Sequence, residues 1–178
     1  KFPGVSVAFH DPNFAVKFDS VFDVLGKLPP PRHPWYIMES SLSILRGPRL
    51  KRIQDTGCFF VAPGVESWMA YSNKSGVGPV SSARQKLDEV VEHFHLLHEH
   101  VPGTQANFIF GLDVDEGDDP VELTKEFMSR APFAWPTVNI PTPFGGTPLY
   151  QQYLDEGRVM TSMPFAFYYA PYLVTTVK

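Results

Sequence analysis

Four apolar runs in this sequence each end at a carboxylate: SVAFHD at Asp11, WYIME at Glu39, FFVAPGVE at Glu66 and NFIFGLD at Asp113. Ionised carboxylates accept hydrogen bonds from ammonium and hydroxyl groups, and they also ligate hard cations. Polar neighbours accompany them: Asn13 beside the first, Ser40 and Ser41 beside the second, and Ser67 beside the third. Recurrence at the end of each run is what residues at the mouth of one shared cavity would show. The competing local explanation is that each residue closes an Asx turn or caps the next helix.

Whether these groups meet depends on the elements that carry them. Apolar runs at 5–9, 35–38, 58–61, 106–112 and 137–140 have the length and composition of buried strands. Helical patterns follow at 16–28, 48–56, 82–100, from 119 onward, and at 148–156. The clearest is 82–100, where Leu87, Val90, Val91, Phe94, Leu97 and Val101 form one stripe, into which His98 also falls. Asp119-Pro120-Val121-Glu122 reads as a helix start. Strands alternating with helices predict parallel pairing through right-handed crossovers. In parallel α/β folds the loops after the strand C-termini gather on one rim, where sites are built. The four carboxylates then share a rim. The remainder, 160–178, is aromatic and irregular.

The bulk numbers narrow the function classes. A chain of 178 residues fits one domain, 1–178, able to bury roughly 70% of its unfolded surface. A net charge of -4 provides no broad cationic face for phosphate backbones, so no nucleic-acid partner is expected. A single cysteine cannot build a disulfide framework and fits a reducing cytoplasm. No apolar run reaches the ~18 residues of a membrane helix, and no signal peptide is visible. The sequence opens on lysine and enters a strand almost at once, the pattern expected of a piece of a longer chain.

The segments GCFFVAPGVES, NFIFGLDVDEGDD and VNIPTPFGGTPLYQQYLDEGRV, in this order, resemble βα units of the radical S-adenosylmethionine (SAM) enzymes. The likeness runs over residues 5–159 and is closest to the branch that carries a cobalamin-binding domain ahead of the barrel. It implies an incomplete (β/α) TIM-type barrel, units two to six, with about five parallel strands and helices on the outer face. It also implies a parent oxidoreductase or methyltransferase that uses a [4Fe-4S] cluster, SAM and, in that branch, cobalamin, acting on an unknown organic substrate. The cluster is normally held by a C-x3-C-x2-C loop after the first strand. Here Cys58 is the only cysteine, so the cluster segment is expected outside this sequence and the fragment is expected to be inactive alone. Open sheet edges are able to pair in oligomers.

The resemblance also gives the rim residues roles. Asp11 and Asn13 lie where the second strand meets the methionyl amine, although many members carry G-G-E there. Glu66 and Ser67 match the fourth-strand position that meets the ribose or the methionyl carboxylate. Glu39 lies on the third strand, facing substrate or cofactor. Gly111 and Asp113 follow the fifth strand near the adenine, and Thr142 and Pro143 follow the sixth, whose backbone can pair with the adenine edge. Two readings from other classes stay open: a non-catalytic α/β nucleotide-binding domain, and a metal-dependent hydrolase using the rim carboxylates. DVDEGDD fails as an EF-hand, because its glycine comes one place early and Thr124 stands at the twelfth position. The histidines at 93, 95, 98 and 100 are expected outside the barrel, most on the surface and one packed, and Cys58 is expected to pack as a small apolar residue.

Overall fold

The structure, a computed structural model, describes residues 4–10, 14–29, 32–37, 45, 48–69, 82–115, 117, 119–168 and 172–176. Strands β1 (Val7–Phe9), β2 (Trp35–Ile37), β3 (Cys58–Val61), β4 (Gly64–Glu66), β5 (Gly103–Ile109) and β6 (Ala134–Asn139) form one sheet. Every pairing is parallel. Helices α1 (Phe18–Leu25), α2 (Arg49–Asp55), α3 (Ala83–His98), α4 (Asp119–Arg130) and α5 (Pro148–Asp155) alternate with them.

β3 and β4 occupy one strand position, broken at Ala62 and Pro63. β3 pairs with β5 at Phe60↔Gly103 and Val61↔Thr104, and β4 continues along β5 at Gly64↔Asn107 and Glu66↔Phe108. The break is closed by Asn107. Its backbone N–H donates to Pro63 O at 3.2 Å, and its amide Nδ2 donates to the Ala62 and Pro63 carbonyls, each at 3.1 Å. The sheet is therefore five strand positions wide and runs in chain order. It is an open arc of (β/α) units, as expected from the alternation of periods.

Alternation along β5 sorts the two faces. Thr104, Ala106 and Phe108 are buried on the side that α3 and α4 cover. Gln105, Asn107 and Ile109 face the other way, in register with Trp135, Thr137 and Asn139 of β6. Gly103 lies on that second face, where a Cβ would come within 2.7 Å of the Phe60 ring and 3.0 Å of the Phe59 carbonyl, so glycine is required there.

Two apolar clusters fill the helix-covered face. One joins α1, α2, β2 and β3 around Phe18, Phe22, Trp35, Ile37 and Ile53. The other joins β4, β5, α3 and α4 around Trp68, Phe94, Phe108 and Phe127. A third, smaller cluster joins α5 to the C-terminal segment through Tyr153, Val159, Tyr168 and Val174. That segment returns on itself, with Met160 N–H donating to Val174 O and Thr176 N–H to Arg158 O, both at 2.9 Å.

Ser82 caps α3 by accepting from Gln85 N–H at 3.2 Å, and Thr147 caps α5 with Pro148 in its first turn. On α3 the packed histidine is His93 rather than His98. His98 is exposed and stacks on Phe133, with ring centroids 4.1 Å apart, whereas His93 is half-buried and its Nδ1 has no partner among the described residues. The stripe passes through Leu97, which turns His98 outward. Cys58 is buried among the first cluster, and desolvation pushes its thiol up to about 12.

Candidate functional site

β4 ends in an unusual turn. Glu66 has φ 64, the left-handed region, and it is the only non-glycine residue found there among those described. Left-handed backbone is disfavoured for side chains with a Cβ, so the surroundings must hold it. Gly64, Val65, Ser67 and Trp68 are all buried, and Glu66 alone of this stretch reaches partway to the surface. Pairing of Gly64 with Asn107 and of Glu66 with Phe108 makes Val65 the extra residue of a bulge. Bulges of this kind re-aim a side chain, here that of Glu66, which sits at the C-terminal edge of the sheet.

Beneath this turn lies Lys86, from the first turns of α3, only 1% exposed. Its Nζ donates to Val65 O at 3.0 Å and to Ser67 O at 2.6 Å. Burial pushes its pKa down to about 8, against the pull of the Glu66 charge. No motif flags this residue. A lysine on an amphipathic helix reads as solvated, and only its place on the flank of the stripe, one turn before Val90, signals otherwise.

Ser67 links two rim loops. Its hydroxyl donates to Asp115 Oδ1 at 2.5 Å and accepts from Met69 N–H at 3.0 Å. The other oxygen of Asp115 accepts from the N–H groups of Gly111 and Leu112, at 2.9 and 3.0 Å. Gly111 has φ 84, which lets the chain turn sharply after β5. A cavity of about 300 Å3 opens in this loop, with Gly111, Asp113 and Asp115 in its wall.

Asp113 is bound from the side of the C-terminal segment. Arg158 donates from Nη1 and Nη2 to its two oxygens at 2.9 and 2.8 Å, and also reaches Glu156 and Thr176 O. The Arg158 guanidinium lies 3.9 Å above the Tyr153 ring, and its bonds to Asp113 and Glu156 hold its pKa above the usual arginine value. Replacing Arg158 by methionine should free the Asp113 loop and residues 172–176 together. Hydrogen exchange should accelerate at the Thr176 amide while β2–β5 stay protected; unchanged protection of Thr176 would show that the guanidinium does not tether the segment.

After β6, Pro143 is buried, Thr142 is half-buried and Phe144 is exposed. Parallel strands put Glu66, Gly111, Asp113, Thr142 and Pro143 at the same edge of the sheet, with Ser67 and the Gly111 loop linked through Asp115. Asp11, Asn13 and Glu39, with Ser40 and Ser41, lie outside the described residues. Among the described residues no three His, Cys, Asp or Glu side chains gather to hold a metal ion, and no helix is long and apolar enough to cross a membrane.

No family model matches the chain. Over 121 residues, 67% of its length, it is 30% identical to the bacteriochlorophyllide d C-8(2)-methyltransferase of Chlorobaculum tepidum. Over 119 residues, 66% of its length, it is 29% identical to the bacteriochlorophyllide d C-12(1)-methyltransferase of the same organism. The chain spans about a quarter of each relative, 26% and 25% respectively. Both relatives are methyltransferases.

Proposed function

We propose that this chain is part of the catalytic core of a radical SAM, methyltransferase-like enzyme and contributes part of the surface that binds SAM. The observation that carries this reading is Glu66, held in a left-handed turn at the C-terminal end of a parallel strand and half-buried while its neighbours are buried. Such a group accepts from ribose hydroxyls or from the methionyl ammonium. The resemblance of GVES to the family's fourth-strand segment and the two methyltransferase relatives support the same reading.

In this reading the turn at Gly111 lets backbone approach the adenine, and the loop carrying Thr142 and Pro143 offers backbone groups to its edge. Ser67 and Asp113 line the same rim and hold its loops in register. Asp11, Asn13 and Glu39 take their assignments from the family resemblance alone. A [4Fe-4S] cluster does not fit the residues present. Cys58 is a lone thiol, buried on the helix-covered face and protonated up to about pH 12. In this reading the cluster belongs to another segment of the parent, and the role of these residues is to bind and orient SAM. Alone, the chain binds SAM weakly and does not turn over.

Titrating SAM into the chain while following amide shifts by NMR tests this. Binding is expected at or above ~1 mM, about 4 kcal/mol of affinity, with amide shifts at 64–67, 111–113 and 142. Glu66→Gln should lower the initial slope of the titration roughly 10- to 100-fold, the worth of one charge-assisted hydrogen bond at about 1.5–3 kcal/mol. Shifts confined to the outer faces of the helices, or an unchanged slope, would overturn the assignment.

A further inference from the structure

We infer that Lys86 is a positioning residue for Glu66: its ammonium, seated between the carbonyls on either side of Glu66, fixes the left-handed turn that presents the carboxylate at the rim. The inference rests on the reading of Glu66 as a ligand-binding group.

The geometry is specific. Same-side carbonyls two residues apart in an extended strand stand about 6.6 Å from each other. One nitrogen cannot then sit 3.0 Å from Val65 O and 2.6 Å from Ser67 O, as Lys86 Nζ does. The carbonyls converge because Glu66 departs from the strand conformation, with φ 64. The ammonium and the turn therefore require each other. Glutamate does not adopt this conformation unaided, and lysine is almost never fully buried without partners.

The choice of a charged group also needs a reason. Methionine or leucine would fill the same place on α3 and continue the apolar core without the desolvation of an ammonium. With its pKa pushed down to about 8, Lys86 carries its charge at neutral pH at the expense of stability. What the charge gains is placement, since charge-assisted bonds to two carbonyls are shorter and stronger than neutral ones. Because Lys86 lies on α3, whose next turns pack against Trp68, Phe108 and Phe127, the position of Glu66 is set by the core rather than by its own loop.

The decisive experiment follows the Glu66 Cα and Cβ chemical shifts, which report its backbone conformation, together with SAM titrations of four proteins: wild type, Lys86→Met, Glu66→Gln and the double variant. Lys86→Met should lose the left-handed signature at Glu66 and lower the initial slope of the SAM titration at least tenfold. The double variant should be no weaker than Glu66→Gln alone, because both changes remove one unit of recognition. A general loss of stability would instead make the two effects multiply, and that outcome, or left-handed shifts retained in Lys86→Met, overturns the inference. If Glu66→Gln leaves SAM binding unchanged, the SAM reading falls, while the Glu66 carbon shifts still decide whether Lys86 sets the turn. Should Lys86→Met fail to fold, scalar couplings from Lys86 Nζ to the Val65 and Ser67 carbonyl carbons in the wild type take its place. Observing both supports the clamp, and finding neither refutes it.

Discussion

Replacing Trp68 by alanine should remove about 3–5 kcal/mol of unfolding free energy, the range for excising a large aromatic side chain from a close-packed core. Trp68 is fully buried between Phe108, at a centroid distance of 5.6 Å, and Phe127, at 6.0 Å. Its indole N–H donates to Thr124 Oγ1 at 2.8 Å, and that hydroxyl in turn donates to Pro120 O at 2.8 Å. The side chain thus pins the segment after Glu66 to both β5 and α4. Domains of this kind hold about 5–15 kcal/mol in total, so the loss is a large share. Trp68→Phe keeps most of the buried ring and gives up the bond to Thr124, for a cost near 1–2 kcal/mol. Urea unfolding followed by circular dichroism measures both. A loss under about 1 kcal/mol for the alanine variant would mean that this core is not packed as described.

Stability should rise with pH between about 8 and 9, opposite to the usual alkaline trend. An unfolded lysine keeps its proton to about 10.5, whereas Lys86 gives it up at about 8 in the fold. Between those values the unfolded chain binds more protons, so unfolding free energy climbs by about 1.4 kcal/mol per pH unit. Cys58 works in the other direction. Its thiol ionises near 9 in the unfolded chain and near 12 in the fold, so above 9 the folded chain binds more protons and stability falls at the same rate. The wild type should gain roughly 0.6 kcal/mol from pH 8 to 9, where Lys86 and the unfolded Cys58 are each only partly titrated, hold level to about 10.5, then decline. Tyr168, whose pKa burial holds above its ordinary value, deepens the decline. In Cys58→Ala the rise should continue to about pH 10.5 and total about 3 kcal/mol. In Lys86→Met the rise should vanish. Urea midpoints across pH 7–11 under reducing conditions separate these curves, and a wild type that loses stability from pH 8 to 9 would refute the balance.

The order of strands and helices is legible in the sequence because period and punctuation agree. The apolar runs are short, the α3 stripe is continuous, and Pro148 and Gly57 stand where helices start and stop. β4 is not legible, because Ala62-Pro63 reads as the end of a strand. Asn107, 44 residues from Pro63, satisfies the carbonyls that the break exposes, through its side-chain amide and its backbone N–H, and lets the strand resume. Glu66 can be picked out by type and place, but its left-handed turn cannot, since nothing local in V-E-S favours it. Its support is Lys86, 21 residues from Val65, which sequence reasoning assigns to solvent. Trp68 precedes a stretch rich in Gly and Ser that marks no core element, yet it is a fully buried tryptophan. The bond between Arg158 and Asp113 crosses 45 residues and joins a strand loop to the C-terminal segment, a pairing that no spacing rule supplies.

The two main apolar clusters share a wall. Leu87, Val90, Val91 and Phe94 of α3 belong to one, while Leu97 of the same helix, with Val101 just beyond it, belongs to the other. At 1.5 Å per residue, the 16 residues of α3 form a rod of about 24 Å. A rod of that kind cannot leave one cluster while staying docked in the other. Any fluctuation that loosens the β1–β3 half therefore draws on the same free energy that secures the β4–β6 half. The consequence is cooperativity: the arc of strands, whose pairings run only between chain neighbours and could otherwise fray unit by unit from either end, is made into a single melting unit.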